Sequence, residues 1–336
     1  MDLFNEMSCP ICAAADIGFH THYFTKSGEQ RTIYQCQKCQ VYFSETYQTP
    51  LAGLRTPLSK VIEVIDALND GMGLNAAVRT FKVAKNTIYD WLERVAALKE
   101  VLLLYALCHH FLRQLVEGDE LYTKVKENKP PDQSAGWTIV LLERASRFIW
   151  EMKCGQHDRD LFQAAIAILC QVLEQTQDLT LVSDGERRYG NVLFEICRQA
   201  LRTGQVGRPR QTLPKGVKVR LKNKGNQAHH KGPKRPKYQA PQPEHPETVQ
   251  DLAEQDIHAN HLEGFNAGLR RKLACYRRRT NTYAKQEETL QTRLDVHWVL
   301  HNFVRPHFTT RLVPAVALGI LEKGLSMPEL FKVRYV

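Results

Sequence analysis

Residues 136–155, GWTIVLLERASRFIWEMKCG, read as two strand-like runs divided by the turn-forming Arg144–Ser146. Working outward, LYTKVKE (121–127) is a third such run, separated from them by Asn128–Ser134. Downstream come an amphipathic helix at about 158–174, the buried strand LTLVSDG (179–185) and a second helix at about 189–201. Three strands, a helix, a strand and a helix make a mixed α/β layout. In such sheets reactive groups collect near the carboxyl ends of neighbouring strands. Asp184 stands at one strand end, and Asp119 lies at the start of the first run.

Toward the N-terminus, Cys9-Pro-Ile-Cys12 and Cys36-Gln-Lys-Cys39 are two CxxC knuckles, each able to bring two thiolates to one ion. The 23-residue spacer alternates like a hairpin with Ser27-Gly28 at its tip, the layout of a zinc ribbon over 1–50. Four thiolates leave no open position, so this zinc is expected to be structural. A redox CxxC pair is the competing reading. Residues 55–97 read as a helical domain, with Val61, Ile62, Ile65 and Leu68 on one helix and Ile88, Trp91, Leu92 and Val95 on another. A tight turn near Lys82–Ala84 fits a helix-turn-helix, whose second helix would offer Lys85, Asn86, Thr87 and Tyr89 to bases. An ordinary small bundle is the alternative. Residues 98–116 extend as a connector or pairing helix running to Leu115.

The net charge of +10 in 336 residues points to a polyanionic partner, nucleic acid first and an anionic membrane second. No apolar run approaches the roughly 18 residues of a spanning helix, and between the two polyanions DNA is the expected partner, with no membrane. MDLFNEMSCPIC lacks the pattern of a signal peptide. Nine cysteines without export signals argue for reduced thiols and metal, in a cytoplasmic, nucleoid-associated protein. Residues 202–239 hold 12 Lys or Arg and no Asp or Glu. Within a basic insertion at 202–245, Arg208, Arg210, Lys218, Arg220, Lys222, Lys224, Lys234 and Arg235 are candidates to neutralise phosphates. A solubilising loop is the bland alternative.

The segment 261–285, HLEGFNAGLRRKLACYRRRTNTYAK, begins as a helix in which Glu263, Asn266 and Arg270 fall at i, i+3 and i+7 and point one way. An acidic metal ligand followed by a cationic run suits a polyphosphate. If Asp119, Asp184 and Glu263 converge, they could hold two divalent ions at a scissile phosphodiester, and magnesium, or manganese in its place, suits such oxygen ligands. Spacing does not single these three out among 36 acidic residues.

The chain resembles DDE transposases of the insertion-sequence-one family. The resemblance runs over nearly its whole length: the knuckles and helix-turn-helix; Gly118-Asp119-Glu120-Leu121-Tyr122; Ser183-Asp184-Gly185; and Leu262-Glu263-Gly264-Phe265-Asn266 through Leu269-Arg270 to Arg279-Thr280. It implies a ribonuclease-H-like α/β catalytic domain over 117–310, followed by a C-terminal tail at 311–336. It also implies Asp119, Asp184 and Glu263 as ligands of two magnesium ions, with Asn266, Arg270, Arg279 and Thr280 in support. The selection of Asp119 over its neighbour Glu120 rests on the resemblance alone. The implied activity is binding of terminal inverted repeats, cleavage at element ends and joining of the 3′-hydroxyl to target DNA, by a homodimer or larger homo-oligomer on double-stranded DNA. A non-catalytic repressor or decayed transposase, and a nuclease that cuts without joining, are the competing classes. The basic insertion is longer than the family pattern and has no assigned task.

Overall fold

The computed structural model describes the chain apart from residues 1–6, 26–27, 128, 203, 205–206, 223–237, 251, 278–280 and 336. Strands β1 (Ile17–Phe24), β2 (Gln30–Cys36) and β3 (Tyr42–Ser44) form an antiparallel sheet in that order. Its small core is Cys9, Cys36 and Phe43, separate from the main apolar cluster. So little apolar burial is a weak foundation for a sheet by itself.

Helices α1 (Leu58–Asn69), α2 (Leu74–Phe81) and α3 (Lys85–Ala96) follow. Lys82, left-handed at φ 54, ends α2 and makes the turn into α3. As the spacing predicts, α3 buries Ile88, Trp91, Leu92 and Val95. Helix α4 (Leu98–Leu107) stops eight residues short of the expected Leu115. The cause is the sheet: Gln114 already opens β4, and its N–H donates to Asp178 O at 2.8 Å. Leu98, Val101, Leu102 and Ala106 of α4 are buried within the chain, so this surface is not available for pairing protomers.

The α/β part runs β4 (Gln114–Tyr122), β5 (Trp137–Glu143), β6 (Ile149–Gly155), α5 (Arg159–Gln175), β7 (Leu179–Ser183) and α6 (Arg187–Cys197). Asp158 caps α5 by accepting from Leu161 N at 3.0 Å. A short ribbon, β8 (Gln199–Leu201) with β9 (Arg210–Thr212), precedes β10 (Val217–Lys222) and β11 (Tyr238–Gln239). The six-stranded sheet has the order β11-β10-β7-β4-β5-β6. β4 pairs antiparallel with β5 and parallel with β7, and β7 pairs parallel with β10.

Strand β10 revises the expectation of a basic insertion at 202–245, because residues 217–222 belong to the central sheet. Lys218 and Arg220, expected to contact DNA, are buried there. Lys218 pairs with Asp178 at 3.0 Å, and Arg220 pairs with Glu244. Each buried cation has its own counter-charge, which is what makes a basic strand tolerable in the interior.

Helix α7 (Asn260–Lys272) lies against β4, and α8 (Glu287–Phe303) runs between the helical module and the sheet. Leu290, Leu294, Trp298 and Val299 of α8 are buried as expected, but so are His297, His301 and Asn302. His297 Nδ1 lies 2.8 Å from Asn69 Oδ1 of α1, while Asn302 Nδ2 donates to Ile149 O of β6 at 2.8 Å. One helix thereby ties both modules into a single apolar cluster. The expected tail is likewise structural: α9 (Pro314–Ala317) and α10 (Met327–Leu330) place Ala315, Leu330, Phe331 and Val333 in that cluster. Tyr335 N then reaches Gln48 O at 2.7 Å, and Tyr335 Oη reaches Arg94 O of α3 at 2.9 Å.

Candidate active site and DNA-binding surfaces

Register brings two of the carboxylates together. Gly118 of β4 is paired with Ser183 of β7 on parallel neighbours, so Asp119, still within β4, and Asp184, the first residue past β7, lie side by side in the backbone. Side chains alternate along β4, and the two faces meet different helices. On one face a Cβ at Gly118 would lie 2.8 Å from the Tyr189 ring of α6, and Tyr189 Oη donates to Glu120 at 3.4 Å. On the other, Asn266 Nδ2 of α7 donates to Asp119 Oδ2 at 2.9 Å. Asp119 therefore faces α7, and Glu120 faces away from it.

Glu263 is exposed one turn before Asn266, on the same stripe of α7. Arg270, half-buried, completes that stripe. Asn266 is buried, and its Oδ1 has no hydrogen-bond partner among the described residues. An orphaned buried acceptor beside a carboxylate usually has an unseen partner. Oxygen-only donors at this point fit a hard divalent ion with its retained waters. Arg279 and Thr280, the other supporting candidates, lie outside the described residues.

What fixes α7 on the sheet is Glu117, which sequence reading missed. Its fully buried carboxylate accepts from Leu262 N at 3.0 Å and from Arg144 Nε at 2.7 Å, and lies 2.7 Å from His261 Nδ1. Arg144 also donates to Asp256 O and His258 O, at 2.8 and 2.6 Å. The only signal for it was period two: Glu117 shares a face with Asp119. Its partners are too distant in sequence to be inferred.

Behind the sheet, Glu120, His157 and Glu186 form a second cluster. Burial, then the charges of Asp119 and Glu186, push the Glu120 carboxyl up to about 7. Arg188 donates to Glu186 Oε2 at 3.0 Å and sits 2.9 Å from His157 Nε2, so a guanidinium already supplies the cation there. Arg144 does the same for the Glu117–His258–His261 group.

In the N-terminal sheet the four expected cysteines converge, with ligand atoms within 4.8 Å of one another. Cys9 Sγ lies 3.4 Å from Cys39 Sγ, and Cys12 Sγ 3.5 Å from Cys36 Sγ. The knuckles are built alike. Ala13 N donates to Cys9 O and Gln40 N to Cys36 O, both at 2.9 Å, and both Ala13 and Gln40 are left-handed. Ile11 N points at Cys9 Sγ and Cys39 N at Cys36 Sγ, each at 3.4 Å. Backbone N–H groups aimed at sulfur favour thiolate, and the set is compatible with zinc.

Of the expected DNA contacts, Lys85 and Asn86 are exposed, and Thr87 and Tyr89 are half-buried. Lys85 and Tyr89 line a 350 Å3 cleft shared with Tyr283, Lys285 and Arg293 of the α/β part. Arg208 and Arg210 are exposed and Lys222 is half-buried. Lys224, Lys234 and Arg235 lie outside the described residues. No helix among the described residues is long and apolar enough to cross a membrane.

The fold sets a helical, helix-turn-helix-like module against an α/β domain that carries neighbouring acidic residues. Residues 57–132, from α1 into the loop after β4, match the family model of a helix-turn-helix transposase, which supports a DNA-binding transposase. No curated protein matches the chain.

Proposed function

We propose that the protein is a DDE-type DNA transposase, similar to those of the insertion-sequence-one family, with a ribonuclease-H-like catalytic domain over its central sheet. It binds terminal inverted repeats through the helix-turn-helix and zinc ribbon, cleaves at the element ends and joins the 3′-hydroxyl to target DNA. The observation that carries this reading is the register that pairs Gly118 of β4 with Ser183 of the parallel β7, so that Asp119 and Asp184 are neighbours in the backbone, with Asn266 of the helix that bears Glu263 bonded to Asp119. Three antiparallel strands continued by two parallel ones support the ribonuclease-H-like assignment.

Asp119, Asp184 and Glu263 would hold two magnesium ions, which supply Lewis-acid stabilisation to the attacking and leaving oxygens of an in-line displacement. The chain's own groups provide position. Asn266 holds the Asp119 carboxylate in one orientation by its 2.9 Å hydrogen bond. Glu117 fixes the first turn of α7, so Glu263 is presented from a helix that cannot slide. Arg270 offers a fixed cation to a phosphate lying along that stripe, the kind of preorganised charge that phosphoryl transfer depends on. Two element ends have to be held together, which calls for at least a homodimer.

Incubating the full chain with labelled duplexes carrying the element ends, with Mg2+ or Mn2+, and sizing the products tests this. Nicked and joined products support the transposase. Nicks without joining indicate a nuclease, and binding without nicks a repressor or decayed enzyme; either defeats the proposal.

A further inference from the structure

The far side of α7 carries a second surface. Gly264, Gly268 and Arg271 form a stripe at i, i+4 and i+7, turned away from the stripe of Glu263, Asn266 and Arg270. This stripe borders a 660 Å3 groove also lined by Arg147, Lys272, Arg305 and Arg311, with no carboxylate among its lining residues. Arg305 is paired with Asp66 and Asp70, whereas Arg271, Lys272 and Arg311 make no salt bridge among the described residues. Burial, and after it the charge of Arg305, push the Lys272 ammonium down, and the nearby Asp70 offsets this only in part. His297 and His301 form part of the wall and are held neutral by burial, so the positive field comes from Arg and Lys.

Two details point to a strand entering this groove. Glycine inside a helix costs about 1 kcal/mol relative to alanine, yet a Cβ at Gly264 or Gly268 would meet nothing within 4 Å. Nothing in the described chain needs those side chains to be missing; something outside it that comes close to the helix would. At the rim, Phe308 is 78% exposed with the Arg311 guanidinium 4.6 Å above its ring. Arg311 is held there in a left-handed conformation, φ 59, by a loop closed through His307 N to Leu312 O at 2.8 Å. A strongly exposed phenylalanine amid cations suits an unpaired base, whose face is free to stack, better than a duplex, whose base faces are covered.

We propose that this groove binds single-stranded DNA, with phosphates on Arg271, Lys272 and Arg311 and a base stacked on Phe308. It rests on the reading of the chain as a DNA-processing enzyme, and deepens it: an unpaired strand beside the scissile phosphate would run around α7 from the Glu263 side to the glycine side.

The test uses the full chain without added Mg2+ or Mn2+, so that no cutting occurs, with fluorescein-labelled oligothymidylate read by anisotropy. Arg271→Glu with Arg311→Glu should weaken binding at least tenfold and lower the slope of log affinity against log salt by about 1.4, the value for two phosphates on a single strand. Phe308→Ala should cost roughly tenfold, within the range for one stacked base. Gly264→Ala with Gly268→Ala should raise Tm while weakening the oligonucleotide, opposite signs that a purely structural role would not give. Parent-like affinity and salt slope in the charge variant would overturn the proposal, as would Phe308→Ala binding like the parent. Equal losses for a duplex and a single strand would also overturn it, leaving a general polyanion surface. Absence of nicking by the parent, with groove-dependent strand binding intact, would defeat the catalytic reading and leave this one standing.

Discussion

Asn266 Nδ2 donates to Asp119 Oδ2 across 147 positions of sequence. That contact orients the carboxylate of β4 and places the face of α7 that carries Glu263 over the paired strands. Asn266→Ala should therefore lower catalysis more than DNA affinity. Loss of a hydrogen bond to a charged group should cost about 1.5–3 kcal/mol of stability. Urea unfolding beside single-turnover cleavage checks it, and unchanged cleavage would remove the orienting role.

Glu117 is the larger structural liability. Glu117→Ala would leave Arg144, only 12% exposed in its side chain, without its carboxylate. Breaking a buried pair in this way costs roughly 3–5 kcal/mol. The first turn of α7 should loosen with it, seen as faster amide exchange at Leu262, whose N–H Glu117 accepts. Parent-like protection there would show that α7 is held by other contacts.

The four-cysteine N-terminal sheet and the main domain have separate cores. Cys36→Ser or a strong chelator should release one zinc per chain and unfold residues 7–44, while the α/β melting transition persists. Element-end affinity should fall. A parent zinc content of zero would contradict the site.

Acid should weaken the fold through α8. Burial lowers His301 to about 3 and takes His297 well below its usual value; His301 Nε2 sits 2.9 Å from Arg147 O. Both are neutral when folded, and the unfolded chain gains their protons below about 6.5. Stability is thus complete above that pH and is lost as pH falls toward 3, by about 1.4 kcal/mol per pH unit for each group. His301→Gln keeps a donor for Arg147 O and should flatten the slope by one proton. An unaltered slope would refute the assignment.

Much of the local architecture was legible, because its causes are local. The stripe Ile88, Trp91, Leu92 and Val95, the helix beginning near Asp158 and the run of LTLVSDG depend on neighbours a few positions away. The knuckle cysteines were legible for the same reason, although the left-handed Ala13 and Gln40 carried no glycine to announce them. The strand tendency of GVKVRLKNKG was legible, but its place inside the central sheet was hidden, because a cationic sequence is buried only where distant acids meet it, as Asp178 and Glu244 do. The burial of 313–333 was hidden in short helices with too few turns to show a period. At the acidic centre, residue pattern left Asp119 and Glu120 equivalent and only the resemblance chose Asp119; the packing of α6 and α7 on opposite faces of β4 puts Asp119 on the α7 side.

The most direct test of the central claim uses that separation. Single-turnover cleavage of an element-end duplex in Mg2+ should be compared for Asp119→Asn, Asp184→Asn, Glu263→Gln and Glu120→Gln, with end binding measured for each. The first three should fall to background while still binding ends, and Glu120→Gln should keep cutting. Cleavage that survives in Asp119→Asn or Asp184→Asn, or that disappears only in Glu120→Gln, would contradict the account.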